Sequence, residues 1–266
     1  MLPDIQGFRV YLTELELSPA TISLYTGTVT NYSQEYSRFD KASLIGFKDD
    51  LMKRYSPRTV SFRLSAMRAY CEYAGIPCSI NQVKIQKVSH IENIITAGQY
   101  RHLMSCLEKD SLLRWIVNIK MISMTGARIS EALRITKADV LRGSAEMQTK
   151  GKIRTIQIPQ KLTDELMEYI QPFPETDTVI RSRNGRPMDR KSYANVLKSF
   201  SRYGIPKEVL HPHSFRHFFA IEFLRRNQNV SLLADLLGHS TVNTTMIYLR
   251  MSQEQQKRMI DDAVVW

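Results

Sequence analysis

Cysteine is scarce in this chain of 266 residues. Cys71, Cys78 and Cys106 are few, odd in number and set in apolar or mixed surroundings, which excludes a disulfide framework and reads as reduced thiols in a cytoplasmic protein. Long apolar runs are missing too. The most apolar stretch, residues 115–124, is broken by Asn118 and Lys120, and falls short of the roughly 20 residues a membrane span needs. No basic region leads into an apolar core at the N-terminus, so no export signal is expected, and there is no low-complexity tract or long repeat. Acidic residues are outnumbered: 26 Asp and Glu stand against 37 Lys and Arg, a net charge of +11.

What remains is a globular composition, 43% hydrophobic, in a length that suits one large or two modest domains. The cationic surplus points to a polyanion, and nucleic acid is the commonest one for such a protein. The competing reading is a basic, well-solvated surface. Both halves share the excess, with 11 basic and 8 acidic groups in residues 1–88 and 26 and 18 in residues 89–266.

Residues 1–80 read as a helical domain. Two segments open alike, Ser18-Pro19-Ala20-Thr21 and Ser56-Pro57-Arg58-Thr59. A serine hydroxyl can cap free N–H groups, and proline at the first helical position forfeits no hydrogen bond. The second helix places Val60, Leu64, Met67 and Cys71 at helical spacing, and Gly75-Ile76-Pro77 stops it. Helix starts bearing hydroxyls and arginine suit DNA phosphates, which makes Ser56, Arg58, Thr59 and Arg63 candidate DNA contacts; ordinary capping is the alternative. Residues 81–93 read as a linker and residues 94–266 as a second domain. There Thr96 starts a helical block, residues 145–149 and 155–158 form the one convincing hairpin around Lys150-Gly151-Lys152, and helices return from Lys161. A basic loop follows at Arg181, Arg183, Arg186, Arg190 and Lys191, of which Arg183, with Lys152 of the hairpin, is a further candidate DNA contact. The expected fold class is mainly α with a small antiparallel sheet in the C-terminal domain.

The chemistry-bearing residues lie in that second domain. Gly126 can end one helix with a positive φ and leave Arg128 at the entry to the next, where its guanidinium can present paired donors to phosphate; pairing with Glu131 is the plainer alternative. Lys150 sits at the hairpin turn, where an ammonium can protonate a departing alkoxide or simply stay solvated. His213 and Arg216 share a helical face beside His217, and His239 is pinned behind Gly238, a helix C-cap. Tyr248 is one of twelve tyrosines, with an ordinary pKa near 10, so it attacks nothing unless cations stabilise its phenolate.

This order of residues resembles the tyrosine recombinase (phage integrase) family, in its compact Xer-like form. The family pattern of Arg, hairpin Lys, His-x-x-Arg, His and then Tyr nine residues on falls here on Arg128, Lys150, His213 with Arg216, His239 and Tyr248. The words Thr-Gly-Ala-Arg-Ile-Ser-Glu, His213-Ser-Phe-Arg216-His217 and Leu-Gly-His-Ser match as well, and the likeness covers essentially the whole chain. The resemblance implies a helical core-type DNA-binding domain followed by a catalytic domain, without the extra amino-terminal domain of larger integrases. It implies that Tyr248 attacks a scissile phosphate to form a 3′-phosphotyrosyl link, that Lys150 protonates the leaving 5′ oxygen, that Arg128, Arg216 and His239 hold the non-bridging oxygens, and that His213 assists proton transfer from the tyrosine. It further implies a DNA recombination site as partner, four protomers on two sites with or without a homologous recombinase or accessory protein, a Holliday junction, and no metal, ATP or other cofactor. A tail helix over about residues 252–264, opened by Ser252 and Gln255, would dock on a neighbouring protomer or on its own domain. The rival readings are a DNA-binding regulator with an inactive site, a relaxing topoisomerase of related type, and a metal-dependent hydrolase built on His211-x-His213 and His217. Localisation in the cytoplasm, with the nucleoid, is expected.

Overall fold

The computed structural model describes residues 3–77, 80–84, 93–149, 152–239 and 244–249. The chain divides into two compact units, Met1–Lys87 and Val88–Trp266.

The first unit is built from α1 (Ile5–Glu14), α2 (Pro19–Glu35), α3 (Lys41–Arg54) and α4 (Pro57–Tyr73). Side chains cap every one of these helices: Asp4 and Asp40 accept from Gly7 and Ser43 N–H at 2.8 Å, and Ser18 and Ser56 accept from Thr21 and Thr59 N–H at 3.3 and 3.5 Å. Proline stands at the first position of α2 and α4, as their shared opening predicts. Phe8, Leu12, Val29, Tyr32, Leu64 and Met67 are fully buried, and each contributes on the order of 1.5–3 kcal/mol by leaving water. The start of the linker is not loose. Ile80 and Val83 pack on this core, Gln82 bonds Ser61 and Ser65, and the backbone of Ile80 and Asn81 accepts from Arg68 and Lys48. Burial of Ile80 and Val83 together with these hydrogen bonds joins residues 80–83 to the first unit.

The second unit is organised around α6 (Leu113–Ser123). Its apolar residues face every direction, the mark of a helix buried on all sides. α5 (Ala97–Lys109), opened by a Thr96–Gln99 capping box, packs on it with α9 (Gln160–Ile170) and α11 (Pro212–Arg226). Between them lie α7 (Ile129–Ala132), α8 (Lys137–Arg142) and a hairpin of β1 (Ser144–Thr149) and β2 (Lys152–Gln157). Pairing runs antiparallel from Ser144↔Gln157 to Thr149↔Lys152, so β2 begins three residues before the alternating pattern of residues 155–158 suggests, and Lys152 belongs to the strand. The pairing runs up to Thr149↔Lys152, on either side of Lys150 and Gly151, which lie outside the described residues. Ala145, Met147 and Ile156 turn inward, and Ile153 stays 73% exposed. α10 (Arg190–Ser199) precedes α11, and α12 (Val230–Leu237) follows it; a 3-10 turn over Met246–Leu249 ends the described residues. Lys150, Cys78, Ser240 and the expected tail helix at 252–264 lie outside them. Among the described residues no helix is long and apolar enough to cross a membrane.

Candidate active site

Two glycines shape the site before any catalytic side chain does. Gly126, just beyond α6, has φ +65°, and Gly238, the C-cap of α12, has φ +60°. The left-handed region costs residues with a Cβ about 1–2 kcal/mol, and here the space is filled as well. A Cβ at Gly126 would stand 2.5 Å from Phe219, and one at Gly238 2.5 Å from Arg154. These turns leave both glycine carbonyls facing guanidinium groups. Gly126 accepts from Arg216 at 2.6 Å and Gly238 from Arg128 at 3.1 Å.

Arg128 is the N-cap of α7, and its side chain is 39% exposed. Its backbone N–H and Nη1 both bond Glu131, at 2.7 and 2.9 Å, so the plainer pairing anticipated for it is present. Glu131 is only 4% exposed and also takes Arg154 Nη1 at 2.6 Å. Burial would raise its carboxyl pKa, but the Arg128 N–H and the two guanidinium groups outweigh it and hold the group below its ordinary value. Arg216, on α11, is 2% exposed; besides Gly126 it donates to the Leu237 carbonyl at 2.6 Å and to His239 Nε2 at 3.3 Å. A guanidinium cannot accept, so Nε2 of His239 must, which leaves the proton on Nδ1 to be donated to the fully buried Thr245 at 2.8 Å. Two guanidinium groups thus pair with one carboxylate while that of Arg216 bonds carbonyls and an imidazole, and the local field is positive.

The titrating groups respond to that field. Burial first, then Arg216 and Arg128, push His239 down to about 4. His217 falls to about 4 through burial, His213 and Arg216, and Arg216 itself falls to about 10 through burial and its fellow cations. His213 is lowered in the same sense, while burial raises Tyr248 to about 12 against the pull of Arg216. Each of the imidazoles is kept neutral, and the site as a whole is short of an anion.

Tyr248, in the terminal 3-10 turn, rests on an apolar cluster of Ala220, Leu224, Leu233 and Leu237. Its hydroxyl shares a 2.6 Å hydrogen bond with His217 Nδ1. The expected proton-transfer partner, His213, is exposed one helical turn earlier and stacks on His217 with ring centroids 5.5 Å apart. The reason is helical geometry: residues four apart share a face of α11, so His213 sits at its open first turn and His217 one turn further along the same face, against Tyr248. Beside His213 opens a cleft of about 640 Å³ lined by Arg128, Arg190, Lys191 and His211 among others. His211 is not available to a metal in this arrangement: Nδ1 caps α11 by accepting from Ser214 N–H at 3.1 Å, and Nε2 donates to the Asn93 carbonyl at 3.2 Å.

Arg128, Arg216, His239 and Tyr248 therefore converge from four separate segments, with His213 at the mouth of the cleft. Lys150 lies outside the described residues, though both strands that bear its turn are present. Ser56, Arg58, Thr59 and Arg63 belong to the first unit, where Arg58, Thr59 and Arg63 line a pocket of about 270 Å³ with Leu24 and Phe62, and Ser56 is engaged as a cap. Arg183 stands exposed in a turn closed by the Arg181↔Pro187 bridge. Sequence reasoning missed Arg154, Thr245 and the His217–Tyr248 contact. None of the three carried a signal in the sequence: Arg154 stands one residue before the alternating pattern of residues 155–158, and only the structure places it on β2.

A profile of the phage integrase family matches residues 93–255, well over half of the chain. The chain belongs to the phage integrase family. Among curated relatives in that family, a protein named tyrosine recombinase XerA from Thermococcus kodakarensis is 28% identical over 271 residues, covering 97% of this chain and 94% of the relative. Another XerA, from Pyrococcus furiosus, is 25% identical and covers 97% and 93%. In fold, the chain is similar to the Tn1549 transposon integrase in complex with circular intermediate DNA, with a TM-score of 0.74 at 16% identity, covering 97% of this chain and 99% of that one. It is likewise similar to the XerH recombinase bound to its difH substrate, at 0.67 and 18% identity, covering 90% and 79%. The mainly helical fold with a small two-stranded hairpin among the described residues is thus the fold of integrase and Xer recombinases.

Proposed function

We propose that this protein is a tyrosine-type site-specific recombinase that cuts and rejoins duplex DNA through a 3′-phosphotyrosyl intermediate at Tyr248. The observation that carries the reading is the anion-deficient cluster around Tyr248. Phosphoryl transfer demands little covalent chemistry from the protein and much electrostatic stabilisation of equatorial oxygens. Arg216 uses three of its five N–H groups on described residues and Arg128 two, so each retains donors for a phosphate. In this reading Arg128 and Arg216 hold the non-bridging oxygens, and His239 joins them once phosphate takes over the Arg216 N–H and Nε2 gains a proton to donate. His213 stands at the phosphate from the cleft, and Lys150 protonates the leaving 5′ oxygen. Energy stays in the covalent link, so no ATP is needed, and none of these roles requires a metal.

Residues 1–80 serve as the core-type DNA-binding domain, with Ser56, Arg58, Thr59 and Arg63 on phosphates; Lys152 and Arg183 add contacts from the catalytic domain. Four protomers on two sites exchange strands through a Holliday junction, in the cytoplasm where DNA is at hand, and the tail at 252–264 links neighbouring protomers. The likeness to integrase and Xer recombinases favours this over an inactive regulator, and Arg128, Lys150, His213, Arg216, His239 and Tyr248 fill every position of the family pattern. A duplex bearing a nick near the cleavage point traps any covalent product. The protein should form such an adduct in the presence of a chelator; a strictly metal-dependent cleavage without an adduct would overturn the proposal.

A further inference from the structure

Phosphate attack by a tyrosine leaves one question open: where the phenolic proton goes. At the Tyr248 hydroxyl the described structure places one hydrogen-bonding partner, His217 Nδ1 at 2.6 Å. Arg216 is near enough to influence the phenol, but a guanidinium has no lone pair to offer. His239 has both nitrogens engaged, by Arg216 and Thr245, and His213 is exposed at the cleft. His217 is fixed from two sides, by the helix α11 that carries it and by the stacked ring of His213.

We infer that His217 is a further catalytic residue: its Nδ1 takes the proton of Tyr248 as the phenolic oxygen bonds to phosphorus, and returns it when the strand is rejoined. The inference rests on the reading of Tyr248 as the nucleophile. In the forward step the Tyr248 Oη–P bond forms and the P–O5′ bond breaks. The phenolic proton passes to His217, the electron pair of the broken bond leaves on the 5′ oxygen, and that oxygen takes a proton from the acid, Lys150. The reverse step restores each proton to its origin, so the cycle is balanced without any other reactant.

The surroundings explain why the proton stays in place until DNA arrives. Burial and the groups facing His217, namely His213, Arg216 and His211 around α11 and His239 beyond α12, disfavour an imidazolium in the free protein. Burial disfavours a phenolate. Proton transfer alone would therefore be steeply uphill. Once the oxygen is bonded to phosphorus it is an ester oxygen with no basicity left, while the phosphate supplies the negative charge that an imidazolium here lacks. Transfer is thus tied to bond formation, and an idle enzyme does not carry an exposed phenolate.

The test uses the full chain, with His217→Ala and His217→Asn, on the nicked duplex from neutral to alkaline pH. Asparagine can still hydrogen-bond the hydroxyl but cannot take its proton. Both variants should bind duplex as the parent does, and both should form adduct about 10²–10⁴-fold more slowly at neutral pH. Their rates should climb with pH where the parent levels off, as hydroxide replaces the missing base, and added imidazole should restore part of the Ala variant's rate. If His217→Ala binds poorly, the Asn variant decides the matter. An Asn variant cleaving within a few-fold of the parent, with a parallel pH profile, would overturn the inference and reduce His217 to a positioning residue. Tyr248→Phe runs alongside: an adduct that survives in it would overturn the nucleophile assignment itself, whereas its loss together with normal His217 variants would overturn only the proton acceptor.

Discussion

At the scale of single residues, the site's character comes from charge that is not balanced. Glu131 offsets one of the three guanidinium groups, and the remaining cations, with burial, keep His217 and His239 neutral. This has a consequence for stability. Both imidazoles have pKa values near 4 when folded, below the ordinary 6.5, so the unfolded chain binds more protons between those limits. Stability contributed by their neutral forms is intact above about pH 6.5 and is lost as pH falls toward 4. Denaturant midpoints measured across that window should drop steeply in the parent and less so in His217→Asn; equal slopes would show that His217 does not titrate as described. The residues at 128, 213, 216, 239 and 248 were legible because their order and spacing match the tyrosine recombinase pattern; phosphate chemistry alone would not have singled out Tyr248 among twelve tyrosines. Arg154 was not, since an inward arginine on a strand declares itself only once its partner carboxylate is in place.

At the scale of elements, the legible features were those decided locally. The paired Ser-Pro openings became the caps of α2 and α4, and Thr96 opened α5, because capping is satisfied by residues three apart. The extent of β2 and the docking of Ile80 were not legible, since a partner strand and a neighbouring core decide them. Gly238 joins both kinds. Its place after α12 marks a C-cap from sequence alone, yet its second duty, leaving room for Arg154, is visible only in three dimensions. Gly238→Ala should therefore cost about 2 kcal/mol or more, from the left-handed backbone and the displaced Arg154 together. Gly27→Ala, in the middle of α2 with nothing within 4 Å of the added carbon, should instead be neutral or stabilising by up to about 1 kcal/mol. Thermal melts of the two variants check this, and similar shifts for both would contradict the account of the turn. Adduct formation should suffer in Gly238→Ala as well, because its carbonyl holds Arg128.

At the scale of the whole molecule, the chain pairs a small all-helical unit with a larger one that bears the chemistry, and both are basic. If both engage one duplex, affinity should be strongly salt dependent, since each neutralised phosphate adds about −0.9 to the slope of log K against log salt. Arg58→Ala and Arg63→Ala, in the first unit, should each flatten that slope by about one without changing the cleavage chemistry, which titrations at several salt concentrations would measure. An unchanged slope would remove those residues from the DNA interface. The central claim is narrower and more exposed: that a covalent bond forms between DNA and one tyrosine among twelve. Trapping the protein on a nicked duplex, digesting both partners and sequencing the modified peptide by mass spectrometry tests it directly. The account predicts a nucleotide attached through its 3′-phosphate to Tyr248, and no such peptide from Tyr248→Phe. Attachment at any other residue, or through a 5′-phosphate, would contradict it.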